Sequence, residues 1–142
     1  MPIVLAAAAA PHRVPRIPRL DLDWDLLTDE RLVRLPDVVE AVRDRRRVIG
    51  FPALGIVNFA LGSPSPWRHD YFFPGRPTAV EEDALAVALA ADPPEAVIVL
   101  DDPSGPFAEA FVAHHRLLAT IEARLVEQRR IGPYRILVPR VP

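Results

Sequence analysis

Residues 92–106 read DPPEAVIVLDDPSGP, and their centre is the uninterrupted apolar run of residues 97–100. A short run of this kind, bounded by proline and aspartate, is typical of a strand buried on both faces. Helical patterns precede and follow it in the sequence. The order helix, strand, helix is typical of an α/β fold.

The segment before this strand predicts a well-defined helix. Thr78 and Glu81 form the T-x-x-E pattern of a capping box, and residues 79–91 (AVEEDALAVALAA) then carry apolar side chains at helical spacing. After the strand, an apolar stripe extends over residues 107–125. This stripe predicts a long helix, with a break near two adjacent histidines.

Three further elements are predicted upstream of the capping box. Residues 37–47 (DVVEAVRDRRR) have the pattern of a short amphipathic helix with Asp37 as its N-cap. Residues 47–53 (RVIGFPA) predict a buried strand, and the apolar stretch that follows predicts a short helix ending at Gly62. The α/β pattern therefore begins well before the central strand.

The C-terminal residues 129–142 (RRIGPYRILVPRVP) predict a strand that turns or kinks at Gly132 and Pro133, because apolar and polar side chains alternate after them. We expect this strand to be more exposed than residues 96–100 and antiparallel to them. The predicted fold is a small two-layer or three-layer α/β sandwich with three or four strands, a mostly parallel sheet and about four helices.

Composition limits the classes of function. The chain has 142 residues, of which 50% are hydrophobic, and this is enough for one domain with a real core. A formal net charge of -2 argues against nucleic-acid binding, which calls for a basic surface. The sequence contains no cysteine, so disulfides, thiolate catalysis and zinc sites built on sulfur are excluded.

We assign residues 1–15 to an apolar N-terminal segment and residues 16–142 to a single α/β domain. The apolar run of residues 1–10 is too short to span a bilayer, which takes about 20 residues. It fits either a frayed start or the remnant of a transmembrane helix. The alternating DLDWDLL of residues 21–27 predicts an extended lead-in that docks Trp24 on the domain.

Asp101 and Asp102 follow the central strand directly, at the position where open α/β sheets bind ligands. The same residues, DDPSGP, also favour a turn and a helix N-cap, and neither needs a ligand. We consider this structural interpretation the stronger one. His114 and His115 are adjacent, so on a helix they point about 100° apart and do not chelate one ion. We expect one of them to face the core and the other to face solvent. The chain carries no known catalytic or cofactor motif, and we predict no catalytic residue, metal or cofactor.

Residues 63–78 (SPSPWRHDYFFPGRPT) concentrate aromatic side chains between prolines. Such rings stack on sugars, and neighbouring polar groups bind hydroxyls or phosphate. The other interpretation is structural, with the phenylalanines closing the core, and on residue types alone we consider it the stronger one. In an extended segment Phe72 would face one way, and Tyr71 and Phe73 the other. The candidate ligand-binding residues are those of this loop and the two strand-end aspartates: Trp67, Arg68, His69, Asp70, Tyr71, Asp101 and Asp102.

Several short motifs resemble one known family. Residues 66–75 contain P-x-R-x-D-Y-x-x-P-G, the helix before the central strand ends in Pro93 and Pro94, and residues 131–136 (IGPYRI) resemble a terminal F-G-P-Y-R-V strand. Over residues 16–142 the chain is similar to the soluble C-terminal domain of bacterial membrane glycosyltransferases related to the protein O-mannosyltransferase group. Those enzymes use sugars linked to polyprenyl phosphate.

The resemblance implies a non-catalytic domain on the extracytoplasmic face of a membrane, because the family's catalytic acidic residues lie in a membrane domain that this sequence does not match. Its partners would be the membrane-embedded transferase domain or a lipid-linked sugar. The alternative hypothesis is a free-standing cytoplasmic α/β protein that binds a small ligand at the C-terminal end of the central strand.

Overall fold

The computed structural model describes residues 29–52, 55–69, 71–102 and 107–141. The predictions for the N-terminal apolar segment and the extended lead-in lie outside these residues. Within them, four helices have seven residues or more, as expected. The elements are α1 (Glu30–Val33), α2 (Leu35–Ala41), β1 (Val48–Phe51), α3 (Gly55–Leu61), α4 (Ala79–Ala91), β2 (Ala96–Leu100), α5 (Ala108–Ala113), α6 (His115–Arg124), β3 (Leu125–Ile131) and β4 (Tyr134–Pro139).

The four strands form one mixed sheet in the order β1-β2-β4-β3. β2 is fully buried and pairs on both sides, as predicted for the central run. β1 lies parallel to β2, with Val48 opposite Ala96. β4 is antiparallel to β2, with Ile98 opposite Ile136, and is more exposed than β2, which confirms the prediction for the C-terminal strand.

The expectation of a mostly parallel sheet is wrong, since β1 and β2 form the single parallel pair among the described strands. The physical reason is the connection before β4. Two residues, Gly132 and Pro133, separate β3 from β4, and a two-residue turn reverses the chain, whereas a parallel pair needs a long crossover. Gly132 has φ of +52°, the left-handed conformation that favours glycine.

β3 is an edge strand where the sequence pattern predicts the end of a long helix. Its two terminal residues, Leu125 and Ile131, are buried, and the five residues between them are exposed. An edge strand that is exposed to solvent on both faces lacks the period-two apolar pattern by which strands are predicted from sequence. The preceding helix, α6, ends at Arg124. This is one residue before position 125, the last apolar residue of the stripe that predicted the helix.

Helices cover both faces of the sheet, which makes a three-layer sandwich. On one face, Val38 of α2 and Val57 of α3 pack with Ile98. On the other face, Leu89 of α4 and Leu117 of α6 pack around Val97 and Leu137. Because successive residues of a strand point to opposite faces, one apolar strand, β2, serves both cores.

Local signals at the helix ends give mixed results. The capping box of α4 is present, with the Thr78 hydroxyl accepting from the Glu81 backbone N–H and the Glu81 carboxylate accepting from the Thr78 N–H. The helix after β2 is interrupted at His114, as predicted. The prediction that Asp37 is the N-cap of α2 is wrong, because Asp37 lies within the first turn of that helix. Pro36 stands in the first turn of α2, where its missing N–H costs nothing, so the helix begins at Leu35.

Candidate functional site

The aromatic loop, residues 63–78, alternates its side chains between solvent and core at residues 71–73. Phe72 is completely buried, whereas Tyr71 is 56% exposed and Phe73 is 48% exposed. The prediction that Phe72 faces one way and its two neighbours the other is therefore confirmed. The Phe72 N–H donates a 2.8 Å hydrogen bond to the Pro52 carbonyl just after β1, which fixes the backbone at the point of alternation.

Phe72 anchors the loop in an aromatic cluster. Its ring centroid lies 5.0 Å from that of Phe51 and 5.8 Å from that of Trp67. The His114 ring packs against it edge to face at 5.5 Å. Tilted and edge-to-face arrangements of this kind stabilise beyond the area they bury, so the loop is attached firmly to the core.

Tyr71 and Phe73 form a stacked pair on the surface. Their ring centroids are 6.0 Å apart and their planes differ by 10°. Phe73 and Arg76 exchange two backbone hydrogen bonds, at 2.7 and 2.9 Å, which close a tight turn around Gly75. The turn and the Phe72 anchor hold the two exposed rings in one orientation. Chemically, the pair is a small apolar platform with a phenol hydroxyl at its edge.

The charged residues of the loop lie beside the start of α4. Arg68 is solvent-exposed and its guanidinium is 3.9 Å from the Glu81 carboxylate. Hydrogen bonds from the Thr78 backbone and hydroxyl lower the pKa of Glu81, and the charges of His69 and Arg68 contribute to a smaller extent. Asp70 lies outside the described residues. Arg68 and His69 are thus placed to meet an anionic or hydroxyl-rich ligand without being part of the core.

An open groove of about 460 Å³ lies between α3 and the first half of the loop. Phe59, 56% exposed, and the half-buried Trp67 contribute its aromatic surface, and Ser63 and Ser65 contribute hydroxyls. The buried Asn58 amide donates to the Val48 carbonyl at 2.9 Å and fixes α3 against β1. Sequence reasoning missed this groove, because Phe59 is one apolar residue in an apolar helix and its exposure is decided by packing.

A buried acid and base lie beneath the aromatic loop. Nδ1 of His114 is 2.9 Å from Oε2 of Glu82, and both residues are at least 94% buried. Nε2 of His114 is 2.6 Å from the Phe73 carbonyl oxygen, and Oε1 of Glu82 accepts from the Leu117 N–H at 3.1 Å. Their ring nitrogens and carboxylate oxygens already have partners, so the pair is closed to a substrate.

The sequence predicted part of this pair. One of the two adjacent histidines was expected to face the core and one solvent, and His114 is buried while His115 is exposed. Glu82 was missed, because it follows another glutamate in the first turn of a helix, where acidic residues are usually solvated. No short sequence motif links residues that lie 32 positions apart.

The strand-end aspartates contact a different part of the molecule. Asp101 donates its N–H to the Pro133 carbonyl at 2.8 Å, and its carboxylate is 3.6 Å from the Arg130 guanidinium. The hydrogen bond from Arg31 to Asp29 is the main cause that raises the pKa of Arg31, and the charge of Asp102 adds to it. The described contacts join Asp101 to the β3–β4 hairpin, and the charge of Asp102 acts on Arg31 of α1.

No protein-family model, curated protein or solved structure matches this chain. Within the described ranges, no three His, Asp or Glu side chains are grouped so that they could hold a metal ion. The helices of the described part are all too short or too polar to cross a membrane. The site must therefore be interpreted from its own geometry.

Proposed function

We propose that this chain is a non-catalytic recognition domain, accessory to a membrane glycosyltransferase that uses a sugar linked to polyprenyl phosphate. The aromatic loop is the contact surface. The observation that carries the proposal is the stacked pair of Tyr71 and Phe73, which is exposed although the loop that bears it is anchored by the buried Phe72. Large apolar rings held rigidly in water are typical of a surface that meets a partner.

The groove and the exposed arginine of the loop fit a sugar-bearing or membrane-proximal partner. Phe59 and Trp67 present aromatic surface in the groove, and aromatic faces stack on sugar rings. Arg68 is available for a phosphate, for which a guanidinium is well suited. The short motifs that resemble the tail of membrane glycosyltransferases include Arg68 and Tyr71 of this surface.

Binding rather than turnover is supported by the state of the buried acid and base. A general base must reach the proton that it removes, and the Glu82 and His114 side chains are engaged with each other and with the backbone. Arg68 is solvent-exposed, so it is accessible to a partner that binds through charge and hydrogen bonds.

The test begins with the reading frames beside the gene, where we expect a polytopic membrane protein. The two proteins are co-expressed, solubilised in detergent and co-purified through a tag on the membrane protein. The double variant Tyr71→Ala, Phe73→Ala should lower the co-purified amount at least about tenfold, as expected when aromatic anchors at the centre of an interface are truncated. Val126→Ala, an exposed apolar truncation on β3, is the matched control.

A second arm separates the protein partner from the lipid-linked sugar. Vesicles containing polyprenyl-phosphate-mannose are compared, by flotation, with vesicles containing the unglycosylated polyprenyl phosphate. Binding that requires the mannose and the Tyr71 and Phe73 rings supports direct sugar recognition. Retention of all binding in the double variant, in both arms, would contradict the proposal.

The alternative site at the end of β2 has one supporting observation. β1 and β2 are parallel, so their carboxyl ends lie at the same edge, where α/β sheets bind ligands. Against it, Asp101 already pairs with Arg130 and the β3–β4 turn. Asp102→Asn should abolish binding of a small ligand if this site is the functional one, and should leave co-purification with the membrane protein unchanged.

A further inference from the structure

We infer that Glu82 and His114 are positioning residues that set the conformation of the aromatic loop and so control how the Tyr71–Phe73 pair is presented. The effect on binding rests on the proposed function; the effect on loop conformation does not. The inference begins from the 2.6 Å contact between Nε2 of His114 and the carbonyl oxygen of Phe73, which joins the buried pair to the residue whose ring is displayed.

The direction of this hydrogen bond follows from its partners. A carbonyl oxygen only accepts, so Nε2 of His114 carries a proton and donates it to Phe73. The other lone pair of the Phe73 oxygen accepts from the Arg76 N–H at 2.9 Å. Both acceptor positions of this carbonyl are therefore occupied, one by the turn itself and one by the side chain beneath it.

Glu82 fixes the histidine from the other side. Nδ1 of His114 and Oε2 of Glu82 would be two facing acceptors at 2.9 Å unless one of them holds a proton, so the contact contains one shared proton. Oε1 of Glu82 accepts from the Leu117 N–H in the first turn of α6. The chain of hydrogen bonds thus extends from α6 through Glu82 and His114 to the loop.

The location of the pair favours positioning over simple stabilisation. Apolar side chains of similar size commonly stabilise a core as well as a buried ionic pair does. His114 stands at the break between α5 and α6, and its ring packs on Phe72, the anchor of the loop. The hydrogen-bond chain leaves the core at a loop carbonyl, so its loss would free the turn while Phe72 still holds the rest of the loop.

The experiment measures amide hydrogen exchange by NMR in the full chain, with no ligand. The reporters are the Phe73 and Arg76 amides, which close the turn, and the Ile98 amide of β2 reports global opening. His114→Phe keeps a ring against Phe72 but removes the donor. It should speed exchange at Phe73 and Arg76 by about tenfold more than at Ile98, as the loss of one hydrogen bond predicts.

Glu82→Gln is the conservative rescue. Its amide nitrogen can donate to Nδ1 of a neutral His114, its oxygen can still accept from Leu117, and Nε2 keeps its proton for Phe73. Exchange at Phe73 and Arg76 should then stay within about threefold of the parent, whereas Glu82→Leu should accelerate it as His114→Phe does. If His114→Phe accelerates amide exchange equally at Ile98 and at the turn, the inference is overturned. The pair would then contribute only to global stability and not to the conformation of the loop.

A measurement on the parent chain covers the case in which the variants do not fold. Nitrogen-15 shifts of the His114 ring, assigned through its contact with Phe72, should show Nε2 protonated and donating. An unprotonated Nε2 would overturn the inference. If the exchange results agree but the double variant Tyr71→Ala, Phe73→Ala still binds its partner, the positioning of the loop stands and the proposed function fails.

Discussion

The Tyr134 hydroxyl on β4 donates a 2.5 Å hydrogen bond to the carbonyl of Arg31, a residue 103 positions earlier in the sequence. This bond fastens α1, a single helical turn with no buried residue, to the sheet. Tyr134 itself is 3% exposed and belongs to the core on the side of α2 and α3. The bond therefore links a peripheral turn to the centre of the domain.

Burial raises the pKa of Tyr134 to about 12, from an ordinary value of 10.0. The unfolded chain therefore loses this proton at lower pH than the folded chain does. The free energy of unfolding therefore keeps its full value below pH 10 and falls as pH rises toward 12. For a pKa shift of this size the fall is up to about 3 kcal/mol. Urea unfolding at intervals between pH 9 and pH 12 measures the decline.

Two substitutions make this prediction specific. Tyr134→Phe should lower stability at neutral pH, because the Arg31 carbonyl loses its donor, and should flatten the decline between pH 10 and pH 12. In Tyr71→Phe, Tyr134 is the single tyrosine, and its absorbance titration should have a midpoint near pH 12. A midpoint near pH 10 in that variant would contradict the expected burial effect.

The phenylalanines of the aromatic loop should differ sharply in stability. Phe72→Ala removes a completely buried ring from three aromatic contacts and should cost about 3 to 5 kcal/mol. Phe73→Ala, Arg68→Ala and His69→Ala should each change stability by less than about 1 kcal/mol, because these side chains lie at the surface or partly exposed. Thermal unfolding of the four variants side by side provides the comparison.

Gly132 and Gly75 form a matched pair for backbone strain. Both have positive φ, so alanine at either should cost about 1 to 2 kcal/mol. A Cβ at Gly75 would meet no atom within 4 Å, whereas a Cβ at Gly132 would lie 3.0 Å from Cγ of Arg34 and 3.1 Å from Oε1 of Glu30. Denaturant unfolding should therefore show a larger loss for Gly132→Ala, and equal losses would contradict the contact between the hairpin and α1.

The capping box of α4 can be tested against a threonine in mid-helix. Thr78→Ala removes the hydroxyl that accepts from the Glu81 N–H and should cost about 1 kcal/mol. Thr120→Ala removes an exposed hydroxyl that donates to the Arg116 carbonyl within α6 and replaces it with a better helix former. Unfolding in urea should show Thr120→Ala to be at least as stable as the parent, with Thr78→Ala clearly weaker.

Only part of the candidate site could be predicted from the sequence. Residues 71–73 alternate as an extended chain must, so the division into two sets, Phe72 on one side and Tyr71 with Phe73 on the other, was predictable from their order alone. Which set would enter the core was not, because that depends on the cavity formed by Phe51 and Trp67. The contact between Glu82 and His114 could not be predicted either, since two ionisable residues that are distant in the sequence have no local pattern in common.

By itself, the sequence determined the local elements: the central strand β2, the capped helix α4, the break at His114 and a turn or kink at Gly132. These follow from apolar periodicity, capping and turn chemistry, which act over a few residues. Only the tertiary structure decided that β4 lies between β2 and β3, and that exposed residues after Arg124 form a strand. Strand pairing depends on backbone hydrogen bonds to distant segments, and every residue apart from proline carries the same N–H and C=O groups.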